Sequence, residues 1–189
     1  FYISFFHLKN SLFCTEMFYN SEILLYIIVD FKRESNILQR IIIIAGPSGV
    51  GKTTVSKYLT EKYNIPRVVT HTTRPIRQGE IPGKSYYFET DESFKKLHFF
   101  EHVKYGEYQY GSSKEALEKA WAKNDLVSLI VETDGVKSYL EKLGKQAYFI
   151  YLTVSDFSVL KKRLLGRGDK ASEIDKRLNS FEFKRDLHL

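Results

Sequence analysis

Apolar residues in this chain gather in short unbroken runs, separated by stretches in which they recur at helical spacing. Ile41, Ile42, Ile43, Ile44 and Ala45 form one such run, the pattern of a parallel strand covered on both faces. Residues 126–131 and 147–153 repeat it. Between the runs, Val55 and Leu59 place a helix over 52–63. Ser112 and Glu115, at capping-box spacing, open a helix to about 123. A third helix spans 135–143 and ends at Gly144. Shorter elements are predicted as strands at 68–70 and 85–89, a polar loop at 72–83, a short helix capped by Asp91 and a hairpin around 105–111. Ser155 or Asp156 caps a helix to Leu165, Gly166 and Gly168 interrupt it, and Ser172 starts the last helix. Buried strands alternating with helices predict an α/β fold with a mainly parallel sheet.

The first 39 residues differ. They are dense in aromatics and carry the longest apolar run outside the core pattern, 23–29. That run is far short of the ~20 residues a membrane span needs, and no small-residue cleavage site follows a basic start. No membrane role or export is expected. Met17, the sole methionine, is read as the start of translation, with residues 1–16 upstream.

Composition narrows the reading further. A length of 189 residues suits one domain with small lobes. A hydrophobic share of 43% excludes a wholly disordered chain. The single cysteine, Cys14, permits no intrachain disulfide or Cys-based zinc site, so a cytoplasmic location is expected. Lys9, Lys32, Arg33 and Arg40 balance Glu16, Glu22, Asp30 and Glu34, so the net charge of +6 lies wholly after residue 40. That excess suits a phosphate-rich partner, nucleotide or nucleic acid.

The segment GPSGVGKT, with Gly46, Pro47, Ser48, Gly49, Val50, Gly51, Lys52 and Thr53 in turn, decides for nucleotide over nucleic acid. It follows a buried strand and opens a helix, as a phosphate-binding loop must. Its glycines let successive N–H groups converge on phosphate oxygens at a helix N-terminus. Lys52 supplies charge to the β- and γ-phosphates, Thr53 a hydroxyl to Mg²⁺, and Thr54 completes the expected ATP site. Arg74 and Arg77 share one polar loop, close enough to grip a second phosphate group; a merely solvated basic loop is the alternative. Arg163 and Arg167 lie four apart on one helical face, with Arg177 beyond, among nine basic and five acidic side chains in 161–186. They read either as a solvated face or as charge stabilisers for a transferring phosphoryl group.

TTRPIRQGE (72–80), YYF (86–88), FFE (99–101), YGS (110–112), LKKRLLGRG (160–168) and KRL (176–178) follow the loop in order. Together they resemble the guanylate kinase family over roughly residues 40–180. The resemblance implies a P-loop, three-layer fold divided into a nucleotide core (40–67 and 113–154), a GMP-binding lobe (68–112) and a helical lid (155–180). Residues 1–39 would be an extension and 181–189 a shortened tail. It implies that Arg74, Arg77, Tyr86 and Tyr110 hold the GMP phosphate. Thr70, Glu101 and Ser112 would read the guanine edge, and Lys52, Arg74, Arg163, Arg167 and Arg177 would serve transfer from MgATP. A carboxylate can accept from guanine N1–H and the exocyclic amine together, which adenine does not offer.

Two departures stand out. The family's Asp-x-Asp at the end of a core strand is here Ile130, Val131, Glu132, so Glu132 or Asp134 is expected to take over. The family also continues past the lid with a strand and a helix, whereas this chain stops at Leu189. The strand at 147–153, without charge or proline, would then present a bare edge, and 23–29 is the stretch expected to cover it. His98 and His102, at i, i+4 with Glu101 between, lack the order of a zinc-binding helix motif. The expected activity is phosphoryl transfer from ATP to GMP, with dGMP and oligomeric state left open. A ribose bisphosphate kinase of the same superfamily, a non-catalytic guanylate kinase-like module or an inactive fragment are the rivals.

Overall fold

Strand β2 (Arg40–Ala45) is buried along its whole length. Its side chains alternate between two cores: Ile41, Ile43 and Ala45 face one, Ile42 and Ile44 the other. The computed structural model of this chain describes residues 2–6, 39–77, 79–105, 107–154, 156, 158–166, 174–175 and 178–180. Strand β1 (Tyr2–Phe6) precedes β2, and helix α1 (Lys52–Tyr63) follows it. Next come β3 (His71–Thr72), β4 (Tyr87–Phe88), α2 (Asp91–Phe94), β5 (Phe99–Tyr105), β6 (Tyr108–Ser113) and α3 (Lys114–Trp121). Then β7 (Leu126–Ile130), α4 (Thr133–Leu143), β8 (Ala147–Thr153) and α5 (Ser158–Leu165) complete the order.

Among the described residues the strands form two four-stranded sheets, β1-β8-β2-β7 and β4-β3-β6-β5. β2 runs parallel to both β7 and β8. Val55 and Leu59 of α1 and Leu160 of α5 join the core on one face. Ala116, Leu117 and Ala120 of α3, with Val136 and Tyr139 of α4, join the core on the other. This is an α/β fold with helices on both sides of a mainly parallel sheet, as the apolar runs require. Among the described residues no helix is long and apolar enough to cross a membrane.

Several local expectations shift. The strand expected at 68–70 is replaced by a single parallel bridge between Arg67 and Ser128. Ser128 there donates to the Pro66 carbonyl and accepts from the Val68 N–H, after which the chain leaves for the second sheet. Thr90, not Asp91, caps α2 through a reciprocal bond with Ser93. Ser113, not Ser112, caps α3, its hydroxyl accepting from the Ala116 N–H. The strand before it runs one residue further than the spacing implied. The outer edge of β8 is not bare: β1 pairs with it antiparallel, Tyr2 opposite Thr153 and Phe6 opposite Phe149. The run expected to cover that edge, 23–29, lies outside the described residues.

Ser113 is fully buried and also hydrogen-bonds His71 Nε2 at 2.9 Å, while His71 Nδ1 meets Glu89 at 2.8 Å. Ser113→Ala removes a cap and strands two buried polar groups, an expected loss of ~1–3 kcal/mol. The urea midpoint at constant slope measures it, and an unchanged midpoint would contradict the assigned role.

Candidate active site

The loop after β2 turns at Gly46, where φ is 137° and a Cβ would stand 2.2 Å from the Leu152 carbonyl oxygen. Both the backbone conformation and that approach to β8 exclude a side chain. Gly51, also at positive φ, sits at the α1 N-terminus and supplies no side-chain cap. The first helical N–H groups are thereby presented to an anion. Val50 and Pro47 are buried, Ser48 is half-buried, and Thr53 and Thr54 are exposed in the first turn. Lys52 Nζ donates to the carbonyls of Gly46 and of Pro47, the latter at 3.2 Å. Arg163 of α5 donates to the Val50 carbonyl at 3.2 Å, so one of the expected lid arginines touches the loop directly. Arg167 and Arg177 lie outside the described residues.

A second cluster forms around Arg74, which is only 7% exposed. Its guanidinium donates to Glu80 Oε1 at 2.7 Å and to the Pro75 carbonyl at 2.7 Å. It lies 5.7 Å from the Tyr86 ring centroid, and the Tyr86 and Tyr110 rings meet edge-on at 6.2 Å. Tyr110 also interacts with Arg74 through its hydroxyl. Arg77 is exposed, and its backbone N–H donates to Glu80 Oε2 at 2.8 Å. Glu80 thus bridges both arginine positions, and the Arg74 guanidinium holds its carboxyl below the usual range.

The third cluster centres on Glu101. Ser112, fully buried, donates to Glu101 Oε1 at 2.9 Å. Burial raises the Glu101 pKa; the Ser112 bond opposes that rise, and the Glu132 charge adds to it. Glu132 occupies the N-cap position of α4 without a side-chain cap bond. The side chain of Asp134 lies outside the described residues. Thr70 is half-buried before β3, where its carbonyl accepts from the Tyr87 N–H at 2.8 Å. His98 precedes β5 and His102 lies within it, so the two do not share a helix, and His98 Nδ1 pairs with Glu115 at 2.6 Å.

A loop built for phosphates, a buried arginine between tyrosines and a carboxylate–serine pair therefore occur in one chain. The sequence pattern of the guanylate kinase family matches residues 38–185. The chain belongs to the guanylate kinase family. It is 37% identical over 145 residues to a guanylate kinase of Lactiplantibacillus plantarum, covering 73% of this chain and 70% of that protein. A guanylate kinase of Thermus thermophilus is 34% identical over 156 residues, covering 79% of this chain and 70% of its own length. The crystal structure of a guanylate kinase from Anaplasma phagocytophilum superposes with a TM-score of 0.56 at 24% identity, over 80% of this chain and 73% of that one. That likeness establishes the shared P-loop α/β fold.

Within this guanylate kinase fold, the sequence reading missed two residues that the geometry brings forward. Glu80 carried no assigned role, although its place six residues after Arg74 in one turn-rich loop was a signal. Tyr139 packs fully buried behind Ser112 and Glu101, and nothing in helical spacing distinguishes it from a core aromatic. Glu80→Ala leaves Arg74 without its carboxylate, at an expected cost of ~1–3 kcal/mol. Denaturant unfolding should show about half that loss for Glu80→Gln, which keeps a hydrogen-bond acceptor. Equal midpoints for parent and Glu80→Ala would exclude the bridge as a stabilising contact.

Proposed function

We propose that this protein transfers the γ-phosphoryl group of ATP to the phosphate of GMP, giving ADP and GDP. The bond from the γ-phosphorus to the bridging β-phosphate oxygen breaks, and an oxygen of the GMP phosphate bonds to that phosphorus. The observation that carries this reading is the Glu101–Ser112 pair, a shielded carboxylate held by a buried hydroxyl, on the sheet from which the Arg74 loop extends. The carboxylate suits guanine N1–H and the exocyclic amine, and the Arg74, Tyr86 and Tyr110 cluster suits the phosphate of the same nucleotide. Arg77, exposed beside them, would add a second guanidinium contact.

ATP arrives as its Mg²⁺ complex. The glycine loop and the α1 N-terminus receive its phosphates, and Lys52 exchanges its loop carbonyls for phosphate oxygens. The Thr53 hydroxyl, with the nucleotide phosphates, would supply the all-oxygen donor set Mg²⁺ favours, and the ion would neutralise phosphate charge. Arg163, whose guanidinium touches the loop backbone, would neutralise charge on the transferring group, with Arg167 and Arg177 proposed beside it. Such catalysis rests on positioning and charge neutralisation rather than covalent chemistry. Glu132 is proposed to substitute for the family's strand-end aspartate. The 68–112 segment would act as the GMP lobe and 155–180 as the lid. The two substrates support a role in purine nucleotide metabolism, and the cytoplasm is the location proposed for it.

Lys52→Ala is expected to abolish transfer while calorimetry still detects GMP binding, because the two nucleotides use different loops. A matched loss of GMP affinity would contradict separate sites. Glu101→Gln replaces one acceptor by a donor, and kcat/KM for GMP should fall at least about 10-fold. Titration gives an independent sign. Because burial raises the Glu101 pKa, its carboxylate is lost on acidification earlier than an ordinary one, and GMP affinity should weaken from that pH downward. Stability has the opposite sign, since burying the charged form is costly and protonation relieves it. A KM profile for GMP that is flat across the mildly acidic range and identical in Glu101→Gln would remove Glu101 from the site.

A further inference from the structure

Helix α4 lays one face across the start of β5, the strand that carries Glu101. Lys142 donates to the carbonyls of Phe99 and Phe100 at 3.3 and 3.2 Å. Two turns earlier on the same helix stands Gly135. A Cβ there would lie 2.8 Å from Glu101 Cγ, 3.0 Å from Cδ and 3.2 Å from Oε2. Gly135 is not among the glycines at positive φ, so the backbone makes no demand for glycine here. The demand comes from the Glu101 side chain, which needs the space.

Tyr139 follows Gly135 by four residues and shares its face. It is fully buried, and its ring stacks on Phe100 at 4.5 Å and 21°. Phe100 is the neighbour of Glu101 in the chain. The Tyr139 hydroxyl is shielded from solvent and makes no hydrogen bond of good geometry, yet it is near enough to Ser112 and Glu101 to interact with both. A buried hydroxyl without a partner is costly, and phenylalanine would fill the same space without that cost. Ser112 gives its one proton to Glu101, which leaves its oxygen lone pairs able to accept. The donor beside them is Tyr139.

We propose that Gly135 and Tyr139 are positioning residues for the Glu101–Ser112 pair: Gly135 leaves the room the carboxylate occupies, and Tyr139 donates to Ser112 when the base is bound. The serine proton then stays directed at Glu101, and the carboxylate keeps its charge and orientation toward the purine edge. The inference rests on that pair being the base-recognising site.

Three variants of the full chain test it: Tyr139→Phe, Gly135→Ala and Glu101→Gln. Steady-state KM for GMP and for ATP is measured with the thermal midpoint of each. Tyr139→Phe should raise KM for GMP about 5-fold, the scale of one lost hydrogen bond. Gly135→Ala should raise it about 10-fold, because the new methyl group displaces the carboxylate. KM for ATP should move less than about twofold in both, on the premise that the two nucleotides bind separately. Gly135→Ala should melt at or above the parent, since alanine favours helix over glycine. Equal rises in both KM values together with a lowered midpoint would show a structural role and overturn the proposal. Either variant keeping the parental KM for GMP, while Glu101→Gln raises it, removes that residue from the positioning role. Unchanged KM for GMP in Glu101→Gln would instead overturn the reading of the pair, and the inference with it.

Discussion

The double-sided burial of β2 is the constraint on which the rest depends. Its five consecutive apolar residues from Ile41 to Ala45 send side chains alternately into two cores, so the strand can neither shift register nor tilt without exposing one of them. Its C-terminal end is therefore a fixed point. The glycine loop starts there, pressed so closely on the Leu152 carbonyl that only hydrogen fits at the Gly46 α-carbon. A mobile strand would carry the loop with it and blur the convergence of N–H groups that anion binding needs.

The second sheet is held by polar contacts as well as apolar ones. Arg74 is neutralised by Glu80, and Glu101 is supported by Ser112. His71 spans Glu89 and Ser113. Each of these groups would be expensive to bury alone, and each has a partner within hydrogen-bond distance. On the proposed reading the same contacts would leave one guanidinium and one carboxylate set for a nucleotide, and their polarity would serve both folding and recognition.

Much of this was legible in the sequence, for identifiable reasons. The bounds of α1 and β8 match the spacing, because both depend on periodicity within the element itself. The glycine loop between strand and helix was legible because its glycines follow a buried run and precede a helical spacing. Ser113 replaced Ser112 as the α3 cap because a cap belongs to the residue where the strand ends, and the hairpin partner sets that end. The short pairing at Arg67 and Ser128 depends on a neighbour 61 positions away, beyond any local pattern. β1 on the edge of β8 shows the same limit, with Tyr2 opposite Thr153. Tyr139 gained meaning only from what tertiary packing placed beside it, and the loop spacing that hinted at Glu80 needed the folded turn to bring it onto Arg74.

The ties of the second sheet to the main core are unevenly distributed among the described residues. Ser113 ends β6 and begins α3, whose Ala116, Leu117 and Ala120 are sunk in the main core. Lys142 binds the start of β5 from α4. The loop carrying Arg74, Arg77 and Glu80 has its described hydrogen bonds mainly within itself and to its own sheet. Among the described residues the sheet is thus tied more heavily to the main core beside Glu101 and Ser112 than at the loop that holds the arginines. A nucleotide bound as proposed would dock its base against the braced part and its phosphate against a loop that braces mainly itself.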